Sequence, residues 1–246
     1  MSNALLLTVC LSGLTASLVM LDPSPAQSQS KSKSKSKSKK KLGSLAGVIH
    51  FDGKAPKRSP VDTSTDPVCA TRKQLSDEVI VNGGKLKDVH VRIKNGTAGK
   101  HETPTTPLII TQDGCIYEPH VVGAMVGQAV AIQNNDQTMH NVHAYIGKDT
   151  WFNRSQPKNA PDIIERETGE AGEVFSLKCN VHPWMSSYVP ITDHPFFDVS
   201  DKSGAFEIKN LPTGKYILEA WHPKYGLKSK KVRVTAATTK VSFHYP

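Results

Sequence analysis

The sequence lacks the short motifs that mark the commonest enzyme classes. It has no GxSxG nucleophile elbow, no HExxH zinc motif, no P-loop and no GxGxxG beside a helix. Hydrolase, nucleotide-binding and dinucleotide-binding functions therefore have no support. Outside the N-terminal region, no stretch approaches the roughly 18 apolar residues that a membrane-spanning helix needs.

The N-terminus has the composition of a secretory signal. Residues 4–21 are mostly apolar, with Ser, Thr and Gly interspersed, and Ser24-Pro25-Ala26 offers a small-residue cleavage site. We therefore predict a signal peptide at residues 1–26 and a periplasmic, secreted or cell-surface location. An uncleaved anchor is the alternative, because no Lys or Arg precedes the apolar run.

Residues 27–42 form a Lys/Ser-rich segment that dominates the charge of the chain. It holds seven lysines and accounts for most of the formal net charge of +9, so the basic character gives no reason to expect nucleic-acid binding by the fold. Repelling charges without apolar residues predict a disordered linker. The alternative is electrostatic attachment to an anionic membrane, a wall polymer or an acidic redox partner.

Two stretches carry a cluster of metal-ligating side chains. Residues 173–185 read EVFSLKCNVHPWM, and residues 136–144 read DQTMHNVHA. Strand alternation in the first stretch places Phe175, Leu177 and Cys179 on one face. In the second it places His140 inward and His143 outward.

The spacing after Cys179 favours one compact metal-binding loop. Two residues separate Cys179 from His182 and two more separate His182 from Met185, so a tight loop can turn all three toward one point. Pro183 stiffens this loop by fixing its own φ angle. With His140, the candidate ligands comprise two imidazoles, one thiolate and one thioether.

This ligand set is typical of a blue-copper electron-transfer site. The soft sulfur ligands favour Cu(I), the imidazoles suit both oxidation states, and a trigonal His2Cys set with a weak axial Met lies between the geometries that each state prefers. The alternatives are a buried structural cysteine beside unrelated histidines, or a zinc site. A structural zinc usually takes four strong nitrogen or sulfur ligands, and no second such pair lies near Cys179.

The chain has four cysteines, and three remain after the expected signal peptide. In an oxidising compartment three cysteines fit one disulfide and one metal thiolate. We therefore predict a Cys69–Cys115 disulfide and a free Cys179. The competing interpretation is a second metal site that uses Cys115 and His120, although their spacing of five sends them to opposite faces of a strand.

The strings MHNVH and CNVHPWM resemble the two metal-binding stretches of amicyanin-type cupredoxins, and residues 119–140 are similar to the strand that precedes the first ligand. The likeness covers about residues 113–189. It implies a Greek-key β-sandwich with His140, Cys179, His182 and Met185 as ligands of one type 1 copper. It further implies that Asn141 steadies the cysteine loop, and that Trp184 is an electron port beside His182 or an apolar plug.

The segment after the copper loop has a different resemblance. GAFEIKNLPTGKY, residues 204–216, is similar to the G-x-F-x-I-x-x-L-P-x-G-x-Y signature of carboxypeptidase-regulatory-like modules, which are immunoglobulin- or transthyretin-like sandwiches. GVIHFDGKAP, residues 47–56, is similar to the first strand of such modules. The combination of both modules resembles that of secreted bacterial proteins labelled methylamine-utilisation proteins.

These patterns predict an all-β protein with three folded segments. Residues 43–112 form an N-terminal β segment whose first strand completes the C-terminal module, residues 113–190 form the copper-binding core, and residues 191–246 form the smaller sandwich. The polar residues 148–172 are expected to be a loop. His194-Pro195 and His222-Pro223 are expected to be turn or packing positions.

The predicted function is single-electron transport between redox proteins, with a cytochrome c or a dehydrogenase-like protein as partner. We expect no enzymatic activity, because multicopper enzymes need further histidine-rich ligand sets that the chain lacks. The loop histidine, His182, is the expected site of electron exchange. The alternative function is a copper-binding or structural interaction module that does not shuttle electrons.

Overall fold

The computed structural model describes residues 41–94 and 100–246. The predicted signal peptide and nearly all of the Lys/Ser segment lie outside these residues. Among the described residues, no helical segment has both the length and the apolar content that a membrane crossing demands. The described chain is almost entirely β-structure, as predicted, and its strands form two β-sandwiches.

The first sandwich, here called the central sandwich, is formed by one continuous part of the chain. Its two sheets have the strand orders β10-β9-β12-β13-β7 and β11-β8-β5-β6. The strands are β5 (Leu108–Gln112), β6 (Tyr117–Glu118), β7 (Ala124–Met125), β8 (Val130–Asn134), β9 (His140–Ile146), β10 (Asp149–Gln156), β11 (Ile163–Glu165), β12 (Val174–Lys178) and β13 (Ser186–Thr192).

Side-chain alternation explains how the central sandwich buries its core. In β12, Phe175 and Leu177 are fully buried on the face that packs against the core; Ser176, on the other face, is also buried and Lys178 is exposed. Val142 and Ala144 of the neighbouring β9 join the same core. The strands that bear the candidate ligands are therefore anchored by apolar packing.

The prediction of a loop over residues 148–172 is wrong for two parts of that range. β10 pairs along its length with β9, from Asp149 opposite Ile146 to Gln156 opposite His140, and β11 pairs with β8. Most side chains of β10 are exposed, so its sequence carries no apolar alternation. Backbone pairing with β9, at the edge of the sheet, makes this segment a strand.

The second sandwich, here called the terminal sandwich, combines the start and the end of the described chain. Its sheets have the orders β15-β1-β3-β2, with β18 also paired to β1, and β14-β4-β16-β17. The strands are β1 (Leu42–Phe51), β2 (Val81–Asn82), β3 (Lys85–Leu86), β4 (His90–Ile93), β14 (Phe197–Val199), β15 (Ala205–Pro212), β16 (Gly214–His222), β17 (Gly226–Val234) and β18 (Thr238–Tyr245).

Strand β1 lies between two strands from the other end of the sequence. It pairs antiparallel with β15 and parallel with β18, and its Leu45 and Ile49 are fully buried. A side chain at Gly47 would collide with the Val241 carbonyl oxygen, 1.7 Å from the position of a Cβ atom. The absence of a side chain at Gly47 thus allows β1 to pack closely against β18 in the terminal sandwich.

A loop between β1 and β2 reaches the central sandwich. It contains a short 3-10 helix at Cys69–Thr71, and the Sγ atoms of Cys69 and Cys115 form a disulfide. Cys115 precedes β6, so the disulfide joins the β1–β2 loop to the central sandwich. These are the two cysteines that the sequence analysis paired.

Candidate metal centre

The candidate ligands meet where two neighbouring strands end. β9 begins at His140, and β12, antiparallel to it, ends at Lys178. Cys179 follows directly and is buried in the same core as Val142 and Leu177. The sheet therefore places the first residue of β9 beside the first residue after β12, although they are 39 positions apart.

Three donor atoms form a compact triangle at this point. Nδ1 of His140 lies 2.9 Å from Nδ1 of His182, and Cys179 Sγ lies 3.9 Å from the first and 3.6 Å from the second. All three side chains are buried, with His140 0%, His182 1% and Cys179 2% exposed. Three potential ligands thus surround one enclosed position.

Two carboxylates fix the protonation of the imidazoles. Asp136 Oδ2 lies 2.9 Å from Nε2 of His140, and Asp66 Oδ2 lies 3.2 Å from Nε2 of His182. Each ring therefore donates its Nε2–H to a carboxylate, and a neutral ring then presents its Nδ1 lone pair to the triangle. When both rings are neutral, the two Nδ1 lone pairs and the sulfur of Cys179 can bind a cation; without a metal, a proton on Nδ1 of His140 can lie between the two nitrogens.

The triangle fits a bound transition metal. A trigonal ion with nitrogen at about 2.0 Å and sulfur at about 2.3 Å requires an N–N distance of about 3.5 Å and N–S distances of about 3.7 Å. The two observed N–S distances lie on either side of that value, and only the two imidazole nitrogens must move apart. Metal-bound histidines characteristically donate their other ring N–H to a carboxylate or carbonyl, as His140 and His182 do here.

The environment also favours a thiolate at Cys179. Burial by itself raises the pKa of this thiol, but hydrogen bonds from His140 and from the loop backbone lower the net pKa below its usual value. Burial likewise lowers the pKa of His140, yet the Asp136 carboxylate and Cys179 beside it raise the pKa to about 9. The site thus stabilises positive charge at the imidazole and negative charge at the sulfur.

Met185 completes the loop from the side of the core. Its side chain is 1% exposed and belongs to the same buried cluster as Cys179. The Met185 N–H donates to the His182 carbonyl over 2.9 Å, which closes a turn between the two candidate ligands. The loop thus returns to the core after His182.

Asn141 braces the cysteine loop. Its Oδ1 accepts the backbone N–H of Asn180 over 2.6 Å and that of Val181 over 3.3 Å, and it lies 3.4 Å from Cys179 Sγ. Its Nδ2 donates to Asn153 Oδ1 over 2.6 Å. The loop is therefore bound to the start of β9 and, through β10, to the edge of the sheet.

Trp184 covers the other side of the loop. Its ring lies 5.2 Å from the His182 ring, and its Nε1–H donates to the Cys115 carbonyl over 2.9 Å. The ring is partly buried, whereas Pro183 is exposed. Trp184 thus contacts both a candidate ligand and the backbone of a disulfide cysteine.

The structure excludes one alternative in this region and shows how His182 is surrounded. Cys115 is bonded to Cys69, so its sulfur is not available for a second metal site, and Nδ1 of His120 lies 3.1 Å from the Ser186 carbonyl. His182, the expected site of electron exchange, is buried, and Asp66 and Cys69 lie against its Nε2. Neither contact is visible in the spacing of the local motifs.

The other singled-out histidines lie outside the triangle. His143 is on the opposite face of β9, where it bonds Asn180 and stacks on Tyr145. His194 is buried, with one ring nitrogen 2.7 Å from the Ile93 carbonyl and the other accepting the Phe196 N–H. His222 is buried and accepts the Lys224 N–H. Backbone contacts thus occupy His194 and His222.

Two residues of the site were not anticipated from the sequence. Asp136 precedes His140 by four positions in the quoted stretch and could have been noticed as a partner for it. Asp66 lies 116 positions from His182. No sequence pattern connects Asp66 to the loop.

Comparison with known proteins gives partial similarities. The family model described as "BOS complex subunit NOMO1-like, second beta sandwich domain" matches residues 197–245, within the terminal sandwich. No curated protein matches the chain.

Among solved structures, a purple cupredoxin from Nitrosopumilus maritimus is 24% identical, covers 35% of this chain and 99% of its own, and has a TM-score of 0.29. Amicyanin from Paracoccus versutus is 20% identical, covers 41% of this chain and 96% of its own, and has a TM-score of 0.30. An amicyanin point mutant in the oxidised state is 21% identical, with coverages of 41% and 97% and a TM-score of 0.31. Similarity at this level assigns no function to the chain.

Proposed function

We propose that the protein binds one copper ion through His140, Cys179, His182 and Met185 and carries single electrons between redox proteins. The observation that carries the proposal is the buried triangle of two Nδ1 atoms and one Sγ atom, with both Nε2 atoms bonded to carboxylates. The bound copper supplies the chemistry by alternating between its two oxidation states.

Copper suits these ligands better than zinc. A structural zinc takes four strong ligands, and a catalytic zinc keeps an open position for water or substrate. Here three strong ligands and one buried thioether are offered, and the three strong ligands are almost inaccessible to solvent. A weak thioether ligand and an enclosed site match a copper ion that exchanges electrons.

The surrounding residues keep the site in one geometry. Asp136 and Asp66 orient the two imidazoles, Asn141 holds the loop backbone, and Trp184 and Met185 exclude water. A site that moves little between oxidation states exchanges electrons readily. The enclosure of all three strong ligands leaves no room for a substrate, and we therefore infer that the chain is not an enzyme by itself.

Absorption spectroscopy tests the proposal. The purified protein should gain an intense blue or purple absorption band on addition of one equivalent of Cu(II), lose it with ascorbate and regain it with an oxidant. The Cys179→Ser variant should bind copper without producing that band. The His143→Asn variant, which is changed on the opposite strand face, should retain the band. Absence of the band, with Cys179 still reactive as a free thiol, would contradict the proposal.

A second function, attachment to an anionic surface, is favoured by the charge of the terminal sandwich. Residues 197–246 contain nine Lys or Arg and four Asp or Glu, whereas residues 42–196 contain 15 and 17. The exposed side chains of β17 include Lys228, Lys230, Lys231 and Arg233. The C-terminal part of the terminal sandwich is thus basic, while residues 42–196 are close to neutral.

The chain enters the fold beside this basic strand pair. The Lys41 carbonyl accepts the Thr213 N–H over 2.8 Å, and Lys215 lies opposite Arg233 in the β16–β17 pair. Lys41 is the last lysine of the Lys/Ser segment, so the segment is continuous in sequence with this part of the terminal sandwich. We infer that the segment and β17 together hold the secreted protein against anionic phospholipid.

Vesicle sedimentation tests this attachment. The protein should bind vesicles containing phosphatidylglycerol and should not bind pure phosphatidylcholine vesicles, and salt should weaken the binding. Lys231→Glu combined with Arg233→Glu should reduce binding, whereas Lys158→Glu, on the central sandwich, should not. Equal binding by both variants would refute a role for β17.

A further inference from the structure

A loop from far upstream covers His182. The imidazole is 1% exposed although its neighbours Val181 and Pro183 are exposed. The atoms against its Nε2 are Asp66 Oδ2 at 3.2 Å and Cys69 Sγ at 3.6 Å. The side of the ring that points away from the ligand triangle therefore faces protein.

This loop, residues 60–75, is here called the cap, and it is closed at its base. Pro60 and Leu75 form an isolated antiparallel bridge, the Val61 N–H donates to the Gln74 carbonyl over 3.0 Å, and the Ser76 N–H donates to the Ser59 carbonyl over 2.8 Å. The cap is thus a unit with its own hydrogen bonds.

Four side-chain links hold the cap on the central sandwich. They are the Cys69–Cys115 disulfide, the hydrogen bond from Thr138 Oγ1 to Asp66 Oδ2 at 2.7 Å, the ion pair of Arg72 with Asp113 at 3.3 Å, and a hydrogen bond from the Gln74 side chain to the Gly114 carbonyl. The first two involve the residues that lie against His182. The cap is therefore anchored beside the candidate metal centre.

The two carboxylate oxygens of Asp66 have different hydrogen-bond partners. Oδ1 accepts the N–H groups of Val68 and Cys69, at 2.7 and 3.1 Å, and so fixes the turn of the cap. Oδ2 faces Thr138 and His182. The carboxylate that orients the imidazole is thus held from both sides.

We propose that the cap closes the His182 side of the copper centre and that Asp66 is a positioning residue for His182. The effect of the cap on copper rests on the proposed function. The contacts between the cap and His182 do not require a metal. A carboxylate on Nε2 raises the basicity of the ligand and so stabilises Cu(II) relative to Cu(I). The cap also keeps external electron carriers away from the His182 ring.

The first test needs no copper. The metal-free full chain is treated with diethyl pyrocarbonate, which modifies accessible imidazole nitrogens, and modified histidines are located by mass spectrometry. His182 should be protected relative to His244, whose side chain is 53% exposed. Asp66→Ala and the double variant Cys69→Ala/Cys115→Ala should expose His182, and rapid modification of His182 in the unaltered chain would overturn the cap.

The second test measures the copper-loaded protein. Asp66→Asn should lower Cu(II) affinity by roughly 10–100-fold, the usual cost of removing such a partner, and should raise the reduction potential. If Cu(I) affinity stays constant, each tenfold loss corresponds to about 59 mV for one electron. Asp62→Asn is the matched control, since Asp62 is exposed, on the same loop, and bonded to Ser64.

The two tests separate the cap from the copper function. Protection of His182 without a copper band would support the cap and contradict the proposed function. A copper band together with an unprotected His182 would support the proposed function and contradict the cap. If Asp66→Asn and Asp62→Asn have the same potential as the unaltered protein, Asp66 has no positioning role, whatever the modification experiment shows.

Discussion

The central and terminal sandwiches both bury histidines, but the imidazoles have different surroundings. In the central sandwich His140 and His182 face each other across 2.9 Å, and each has a carboxylate on its second nitrogen. In the terminal sandwich His90 is fully buried, and within the described residues its Nε2 has no hydrogen-bond partner. The donor atoms of His140 and His182 converge, which is expected of a set of metal ligands. The isolated imidazole of His90 is expected of a residue that only packs in the core.

The charge balance of these histidines differs in the same way. Burial, with Arg92 nearby, lowers the pKa of His90 to about 3, and burial lowers the pKa of His222 to about 4. For His140, Asp136 and Cys179 outweigh burial and raise the pKa to about 9. The terminal sandwich thus keeps His90 and His222 neutral, whereas the central sandwich stabilises a positively charged His140 imidazole beside the free thiol of Cys179.

Removing the thiol should have the largest effect on this contrast. Cys179→Ser should abolish the copper–thiolate band completely while the far-UV circular dichroism stays unchanged, because the strands on either side are held by core packing. Unfolding of the metal-free variant would show that Cys179 is needed for the scaffold, and that the central sandwich does not carry a preformed site.

Matched core truncations compare the stability of the two sandwiches. Leu177 and Leu218 are each fully buried, one in each core, so either change to Ala should lower the free energy of unfolding by about 2–5 kcal/mol. Copper should offset the loss for Leu177→Ala, since the ligand binds only the folded central sandwich. Equal rescue of Leu218→Ala, measured by thermal unfolding, would mean that the sandwiches unfold as one unit.

Acid should destabilise the terminal sandwich through His90. Its pKa is about 3 in the folded state, against 6.5 for a histidine free of such surroundings, so the unfolded state binds more protons between these values. Stability should therefore fall as the pH drops from about 6.5 toward 3, by on the order of a few kcal/mol. His90→Leu should reduce this slope in urea titrations, leaving the contribution of His222; an unchanged slope would refute the assignment.

Weakening one bond of the cap should have the smallest effect. Thr138→Val removes the hydroxyl that donates to Asp66 Oδ2 and should cost about 1 kcal/mol of stability. We expect a modest increase in His182 modification by diethyl pyrocarbonate and no change in the modification of His194, which is buried elsewhere. No change at either position would mean that the other links hold the cap without this hydrogen bond.

The local part of the site could be predicted from the sequence. Alternation placed Phe175, Leu177 and Cys179 on one strand face, and the spacing from Cys179 to Met185 required a single loop. Both rest on short-range geometry, because a strand repeats every two residues and a tight loop spans few. The buried positions of His140, Cys179, His182 and Met185 agree with that geometry.

Segments without an apolar pattern were not predictable in this way. β10 exposes most of its side chains, and only its backbone pairing with β9 makes it a strand. The pairing of β1 with β15 and β18 was expected only from the family resemblance of residues 47–56, because the partner strands lie at the far end of the chain. Such partners are chosen by the packing of the whole domain.

Residue type and local spacing were enough to establish the all-β fold, the set of candidate ligands and the cysteines available for a disulfide, because each of these depends on neighbours in the chain. Three-dimensional packing was needed to bring Asp66 to the His182 imidazole and to close that side of the ring with a loop 116 positions upstream. Contacts between residues that are far apart in sequence depend on how the whole domain packs, and the local periodicity of a strand or loop does not determine them.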